Sequence, residues 1–285
     1  MLENGTFGFR GLHQYNKERK RGLASRKCVC MEKKVFILGL PGSGKSTAAR
    51  YIECLAKSNG WVPVRFNDYD ILYEMFEVDK DGNQFSSTQY SGFDVHDHTV
   101  FDDALNELEE RILNRKKEPA STCEQNELII IEFARNDYCR ALEMFSPEFL
   151  QNASFLFIDV DIQTCKQRIK ERVAHPVYVD DHYVSEYIFE AYYQLDNRQY
   201  LKSVASKLKT CCAINDESIW VIDNTSSSSI QVFLERIEPF SSSIFGASVP
   251  VPKPASAIIS PEEPIIPHDS YHEDVHVTVH PLLQS

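Results

Sequence analysis

No run among the 285 residues approaches the roughly eighteen consecutive apolar positions that a membrane-spanning helix needs, so no span is expected. The chain opens on no charged, apolar, small-residue leader pattern. Its eight cysteines include no C-x-x-C pair, and no second pair stands at zinc-site spacing, which leaves neither dithiol redox chemistry nor a structural zinc indicated. Adjacent Cys211 and Cys212 read as small apolar residues. Reduced thiols suit a cytoplasmic setting. Positive charge is also short. Against 42 Asp and Glu stand 30 Lys and Arg, a net charge of -12. That argues against a general nucleic-acid binder, because phosphate backbones require a basic face.

What is present falls into three parts. Residues 1–30 carry Arg10, Lys17, Arg19, Lys20, Arg21, Arg26 and Lys27 against Glu3 and Glu18, with no helical or strand period. A disordered basic extension is expected there, and Met31 reads as a natural start. From Ser241 to residue 285 Pro and Ser are frequent and no period holds, so a disordered tail is expected. His268, His272, His276 and His280, bracketed by Pro267 and Pro281, read there as solvated side chains.

Between the tails, 31–240 alternates apolar runs with helical patterns. VFILGL (35–40), WVPVRF (61–66), LIIIEF (128–133), FLFIDV (155–160) and IWVID (219–223) read as strands. Residues 45–57, 100–117, 161–173 and 228–240 read as helices, the second with Val100, Leu105, Leu108, Ile112 and Leu113 on one face. Continuous apolar runs mark strands buried on both faces, hence a parallel sheet between helices, a three-layer α/β/α domain.

The first strand leads straight into GLPGSGKST, residues 39–47. Gly39, Leu40, Pro41, Gly42, Ser43, Gly44, Lys45 and Ser46 satisfy G-x-x-x-x-G-K-[ST] at every fixed position, and Thr47 continues into a helix. Glycines let the backbone close on phosphate oxygens, successive N–H groups form an anion nest, and the helix adds its positive end. Lys45 reaches the terminal phosphates, and Ser46 offers its hydroxyl to Mg²⁺.

On these residues the segment from Met31 to about Phe240 resembles the P-loop kinases of the nucleoside, nucleotide and small-metabolite type, in the P-loop NTPase superfamily. It is similar also to the zeta-toxin kinases. The resemblance implies a five-stranded parallel sheet in the order 2-3-1-4-5, ATP and Mg²⁺ as cofactors, and γ-phosphoryl transfer to a nucleoside, nucleotide or sugar-type acceptor. The expected partners are therefore ATP and a small molecule, with neither nucleic acid nor membrane.

Three features beyond the loop address the acceptor. Asn67-Asp68-Tyr69-Asp70 follows the second strand, where ligands of parallel sheets gather. One of Asp68 and Asp70 is expected as the catalytic base and the other as a helix cap, with Asp68 preferred as the base and Asp70 also standing as an acceptor contact. The choice of base among Asp68, Asp70 and Glu132 is left open by the sequence. Glu132 ends the third strand and Arg135 follows it. They are expected to contact the acceptor, with Glu132 also holding Mg²⁺, or else to form a structural pair with each other. Arg168 and Arg172, one turn apart after the fourth strand, correspond to the arginines that cover the transferring group in such kinases. Tyr183, Tyr187, Tyr192 and Tyr193 read as the packing face of a helix, after a flap holding Asp180, Asp181 and His182. The patternless stretch from Asp79 to His98 offers Asp94, His96 and Asp97 for substrate contact, and Asn224-Thr225 stands for an adenine contact or a plain turn. The competing classes are a regulatory P-loop NTPase and a nucleotide-binding module acting on a protein partner. No N-K-x-D motif supports a GTPase, and the third strand ends Ile131-Glu132-Phe133 where AAA-type ATPases carry Asp-Glu.

Overall fold

The computed structural model describes residues 31–88, 92–115, 125–176, 182–193, 203–226 and 229–246. The basic extension, the flap aspartates Asp180 and Asp181 and the four tail histidines lie outside the described residues. Elements run in the order β1 (Glu32–Gly39), α1 (Lys45–Ser58), β2 (Trp61–Asn67), α2 (Asp68–Val78), β3 (Phe85–Ser87), β4 (Phe93–Val95), α3 (Val100–Arg115), β5 (Asn126–Phe133), α4 (Tyr138–Glu143), α5 (Pro147–Leu150), β6 (Ala153–Asp159), α6 (Ile162–Ala174), α7 (Glu186–Ala191), α8 (Val204–Cys212), β7 (Ile219–Asp223) and α9 (Ile230–Phe245).

Five strands form a parallel sheet in the order β2-β5-β1-β6-β7. Counted along the five strands read from the sequence, this is the expected 2-3-1-4-5. The central strands are apolar throughout and fully buried, as a sheet covered on both faces requires: Val35–Leu38, Leu128–Ile131 and Phe155–Phe157. Phe36 stacks on Phe155 at 5.0 Å and meets Phe145 edge-on at 5.4 Å. Pro63 is tolerated because β2 is an edge strand and its missing N–H costs no ladder bond.

Register brings the site together. Glu132 of β5 pairs with Ile37 of β1 and with Asn67 of β2, and Gly39 pairs with Ile158 of β6. The loop after β1 and the helix after β2 therefore leave the same carboxyl edge of the sheet, on either side of Glu132.

Several expectations change. The stretch 79–98 is not patternless: the Asp79 carboxylate accepts from the Gln84 and Phe85 amides at 2.9 Å, and β3 and β4 form a hairpin with Phe85 opposite Val95. The last helix does not stop before Ser241 but runs to Phe245, because Phe240 and Ile244, one turn apart, are both buried. On α3, Leu105, Leu108 and Ile112 are buried as expected, but Leu113 is 40% exposed, and Phe101 and Ala104 complete the face. The tyrosines do not share one helix face: α7 is only six residues long, Tyr187 is exposed, and Tyr183 and Tyr193 lie beyond its ends. Cys211 Sγ lies 3.0 Å from Cys139 Sγ, joining α8 to α4, and burial pushes its thiol up to about 11. Among the described residues no helix is long and apolar enough to cross a membrane.

Candidate active site

A cavity of about 540 Å³ opens at the carboxyl edge of the sheet. One end is the 39–47 loop. Gly42 and Gly44 take φ of 79° and 106°, the left-handed region where a side chain is strained. Space gives a second reason: a Cβ on Gly44 would stand 2.9 Å from Asn224 Nδ2, and one on Gly42 would stand 2.6 Å from the Cys165 carbonyl oxygen. Lys45 Nζ folds back onto the Gly39 and Leu40 carbonyls at 2.9 and 3.0 Å. Burial lowers its pKa to about 8, partly offset by the carboxylates of Glu132 and Asp68. Ser46 and Thr47 line the same end.

A further part of the lining begins at α2. Asn67 caps this helix, its side chain accepting from the Tyr69 amide at 3.0 Å, so the cap is neither aspartate. Asp68 is buried and faces the cavity, whereas Asp70 is exposed and outside the lining. Two residues are about 200° of helix, so the two carboxylates point to opposite sides. Asp70 is thus brought to neither the cap nor the cavity.

Glu132 and Arg135 do not pair with each other. Arg135, 2% exposed, donates from Nη1 to Asp68 Oδ2, and also to the Ala134 carbonyl at 2.7 Å, while Nη2 donates to the Phe101 carbonyl at 2.6 Å. Its guanidinium carbon lies 4.9 Å from the Phe101 ring centre. Glu132, 1% exposed, accepts from Arg65 Nε through Oε1. The register explains the second pair: Asn67 is opposite Glu132, and Arg65, two residues back, lies on the same face of the neighbouring strand. Arg135 lies past the end of β5 and escapes strand alternation, which frees it to reach Asp68.

Arg168 and Arg172 project from α6 over the cavity. Arg168 Nη2 donates to the Asn224 carbonyl at 2.7 Å, and Arg172 Nε donates to the His182 carbonyl at 3.0 Å. The His182 ring lies flat on Tyr69, with centres 3.5 Å apart and planes 9° from parallel. Asn224 does not behave as a plain turn residue: it is buried and braces the phosphate loop, Nδ2 donating to the Ser43 carbonyl at 2.8 Å.

Among the described residues no group of three His, Cys, Asp or Glu side chains could hold a metal ion by itself. The donor set for a cation shared with a ligand is nonetheless present: Ser46 and Glu132 both line the cavity, and Glu132 Oε2 is buried without a hydrogen-bond partner.

The hairpin contributes through residues other than those expected. Phe93 and Val95 line the cavity, while Asp94 accepts from Ser185 Oγ, His96 bonds Ser86 Oγ at 2.8 Å, and Asp97 holds Thr99. Alternation puts Phe93 and Val95 on one face and Asp94 on the other. Arg50, Arg65 and Phe101 also went unread in the sequence. Arg50 alone had a local signal, standing four residues after Ser46 on α1 and so on the same face.

The AAA domain family model matches residues 35–189, more than half of the chain. The absence of an Asp-Glu strand end, read as disfavouring an AAA-type chain, does not exclude it from that family. No curated protein matches. Among solved structures the chain is similar to shikimate kinase from Acinetobacter baumannii in complex with shikimate, at 13% identity over 74% of this chain and 94% of that one, with a TM-score of 0.36. It is similar to the Mycobacterium tuberculosis APS kinase CysC in complex with AMPPNP and APS, at 13% identity over 73% and 99%, with a TM-score of 0.39. It is similar also to Chaetomium thermophilum Kti12 in complex with ADP-AlF3, at 13% identity over 76% and 100%, with a TM-score of 0.43. On the family match the chain belongs to the AAA domain family, and its phosphate-loop motif and five-stranded parallel sheet agree with a P-loop NTPase.

Proposed function

We propose that the protein is an ATP-dependent kinase that transfers the γ-phosphoryl group to a small-molecule acceptor. The observation that carries this reading is one cavity lined together by Lys45, the buried Asp68 carboxylate, Arg168 and Arg172. Amides of the 39–46 turn and the Lys45 ammonium hold the terminal phosphates. Ser46 and Glu132 would hold Mg²⁺, which would supply charge neutralisation at the phosphate oxygens. Asp68, oriented by Arg135, takes the proton of the acceptor hydroxyl as its oxygen attacks the γ-phosphorus, and ADP leaves with the bridging oxygen. Arg168 and Arg172 exchange their carbonyl partners for the oxygens of the transferring group.

The direct test is ADP formation by the intact protein with ATP, Mg²⁺ and a panel of hydroxyl-bearing metabolites. Stimulation by one class of small molecule is expected. Hydrolysis indifferent to every metabolite but raised by a protein partner would replace the kinase with a regulatory NTPase.

Lys45 adds a pH signature. A triphosphate binds its charged form and raises its pKa from the lowered value of about 8. Affinity is then full below that pH and falls as pH rises above it, by up to about tenfold per unit, until the pKa of the complex is passed. Calorimetric titration with ATP from about pH 6.5 to 9.5 reads this directly, and an affinity flat across the range would contradict the role given to Lys45.

A further inference from the structure

We infer that the acceptor is an uncharged alcohol carrying a planar aromatic ring system, a nucleoside in chemical class, in preference to a sugar, polyol or nucleotide. This deepens the kinase reading and rests on it. The wall around Asp68 is aromatic: Tyr69, Phe93, Phe101 and Tyr193, from four separate segments, all line the cavity on that side. The rings brace one another, Tyr69 against Phe93 at 5.3 Å with 25° between planes. One Tyr69 face is covered by the His182 ring at 3.5 Å, a flat contact that an acceptor ring would take over by displacing His182.

Two chemical consequences follow. A sugar or polyol brings several hydroxyls, and against aromatic walls most of them would lose water without gaining a partner. A nucleoside keeps its ribose hydroxyls, of which one meets Asp68, but it adds a base that lies against rings, a contact that every base can make through its π face and a free sugar cannot. The second consequence concerns charge. Arg135 Nη1 donates to Asp68 and the Ala134 carbonyl and Nη2 to the Phe101 carbonyl, while Nε is buried without a partner. A phosphate on the acceptor set against Arg135 would stand beside the paired Asp68 carboxylate, a like-charge arrangement. In the transfer itself the acceptor O–H bond breaks, its proton passes to Asp68, the oxygen bonds the γ-phosphorus, and the bond from that phosphorus to the ADP oxygen breaks, so that ATP and alcohol yield ADP, phosphate ester and one proton.

The test is initial-rate ADP formation by the full chain with ATP and Mg²⁺, using as separate acceptors the common nucleosides, their 5′-monophosphates, and free ribose and glucose. The expected result is transfer to a nucleoside with kcat/KM at least about tenfold above that for ribose, the order that a base stack supplies. Phe93→Leu, which keeps apolar volume and removes the ring, is expected to raise KM for the nucleoside about tenfold while kcat and ATP affinity stay within about twofold. Higher kcat/KM for ribose, glucose or a monophosphate overturns the acceptor class and leaves the kinase standing, as does a nucleoside KM unchanged in Phe93→Leu. ADP formation stimulated by none of them, in protein that binds ATP calorimetrically, overturns the kinase reading and the acceptor class with it.

Discussion

Asp68→Asn is expected to slow phosphoryl transfer by about a hundredfold to ten-thousandfold, the range a lost general base covers, while ATP affinity stays near that of the parent. A second effect accompanies it. Asp68 is the counter-charge of Arg135, and both side chains are almost wholly buried. Removing one partner of such a pair costs about 3–5 kcal/mol, because the other charge stays buried without compensation. For a domain of this size that is a fall in melting temperature of about 10 °C, less the contribution of the amide carbonyl that still accepts from Nη1. Adding Arg135→Gln separates the roles. The stranded charge is gone, so the melting temperature recovers in part, while transfer stays lost. Transfer retained in Asp68→Asn within a few-fold would remove the carboxylate from the chemistry and leave it a counter-ion.

Gly42→Ala is expected to lower ATP affinity by at least about tenfold and transfer by more. A left-handed residue with a Cβ is strained by about 1–2 kcal/mol on backbone grounds alone. At φ 79° the new carbon would also stand 2.6 Å from the Cys165 carbonyl oxygen and 3.2 Å from its Cα. Those atoms are backbone of α6, the helix that carries Arg168 and Arg172. Relieving the clash therefore displaces either the phosphate loop or both arginines. Gly60→Ala is the control. Its φ is 74°, yet nothing lies within 4 Å of the added carbon, so it should lose a little stability and no nucleotide affinity. ATP affinity equal in the two variants would mean that contact between the loop and α6 does not shape the binding site.

The residues that were legible in the sequence and those that were not divide along physical lines. The three central strands could be read because each holds an unbroken apolar run, the signature of burial on both faces, whereas the edge strands β2 and β7 are short apolar-rich runs that are only partly buried. Their order came only from the resemblance carried by the loop. The hairpin of β3 and β4 was hidden because three-residue strands are too short to show alternation, although Phe93 and Val95 do alternate with Asp94. The end of α9 was hidden by Ser241–Ser243, weak helix formers that mask the Phe240–Ile244 step. The phosphate loop is nine contiguous residues and needs no tertiary information. The ion pairs do: Arg135 reaches Asp68 and Arg65 reaches Glu132 across 67 positions each. Residue type identified the charges, but only the register of β2 against β5 decides which charges meet. The aromatic wall was beyond sequence reading for the same reason, being assembled from segments that touch only in the folded chain.

The most direct measurement is a calorimetric titration of the full chain with ATP in the presence of Mg²⁺ near pH 7, repeated on Lys45→Ala. A saturable heat of one site per chain is expected in the parent, weakened by at least about a hundredfold in the variant, as loss of a charged phosphate contact in a partly buried site requires. No heat in the parent, or the same heat in both proteins, would contradict a phosphate-holding role for residues 39–47.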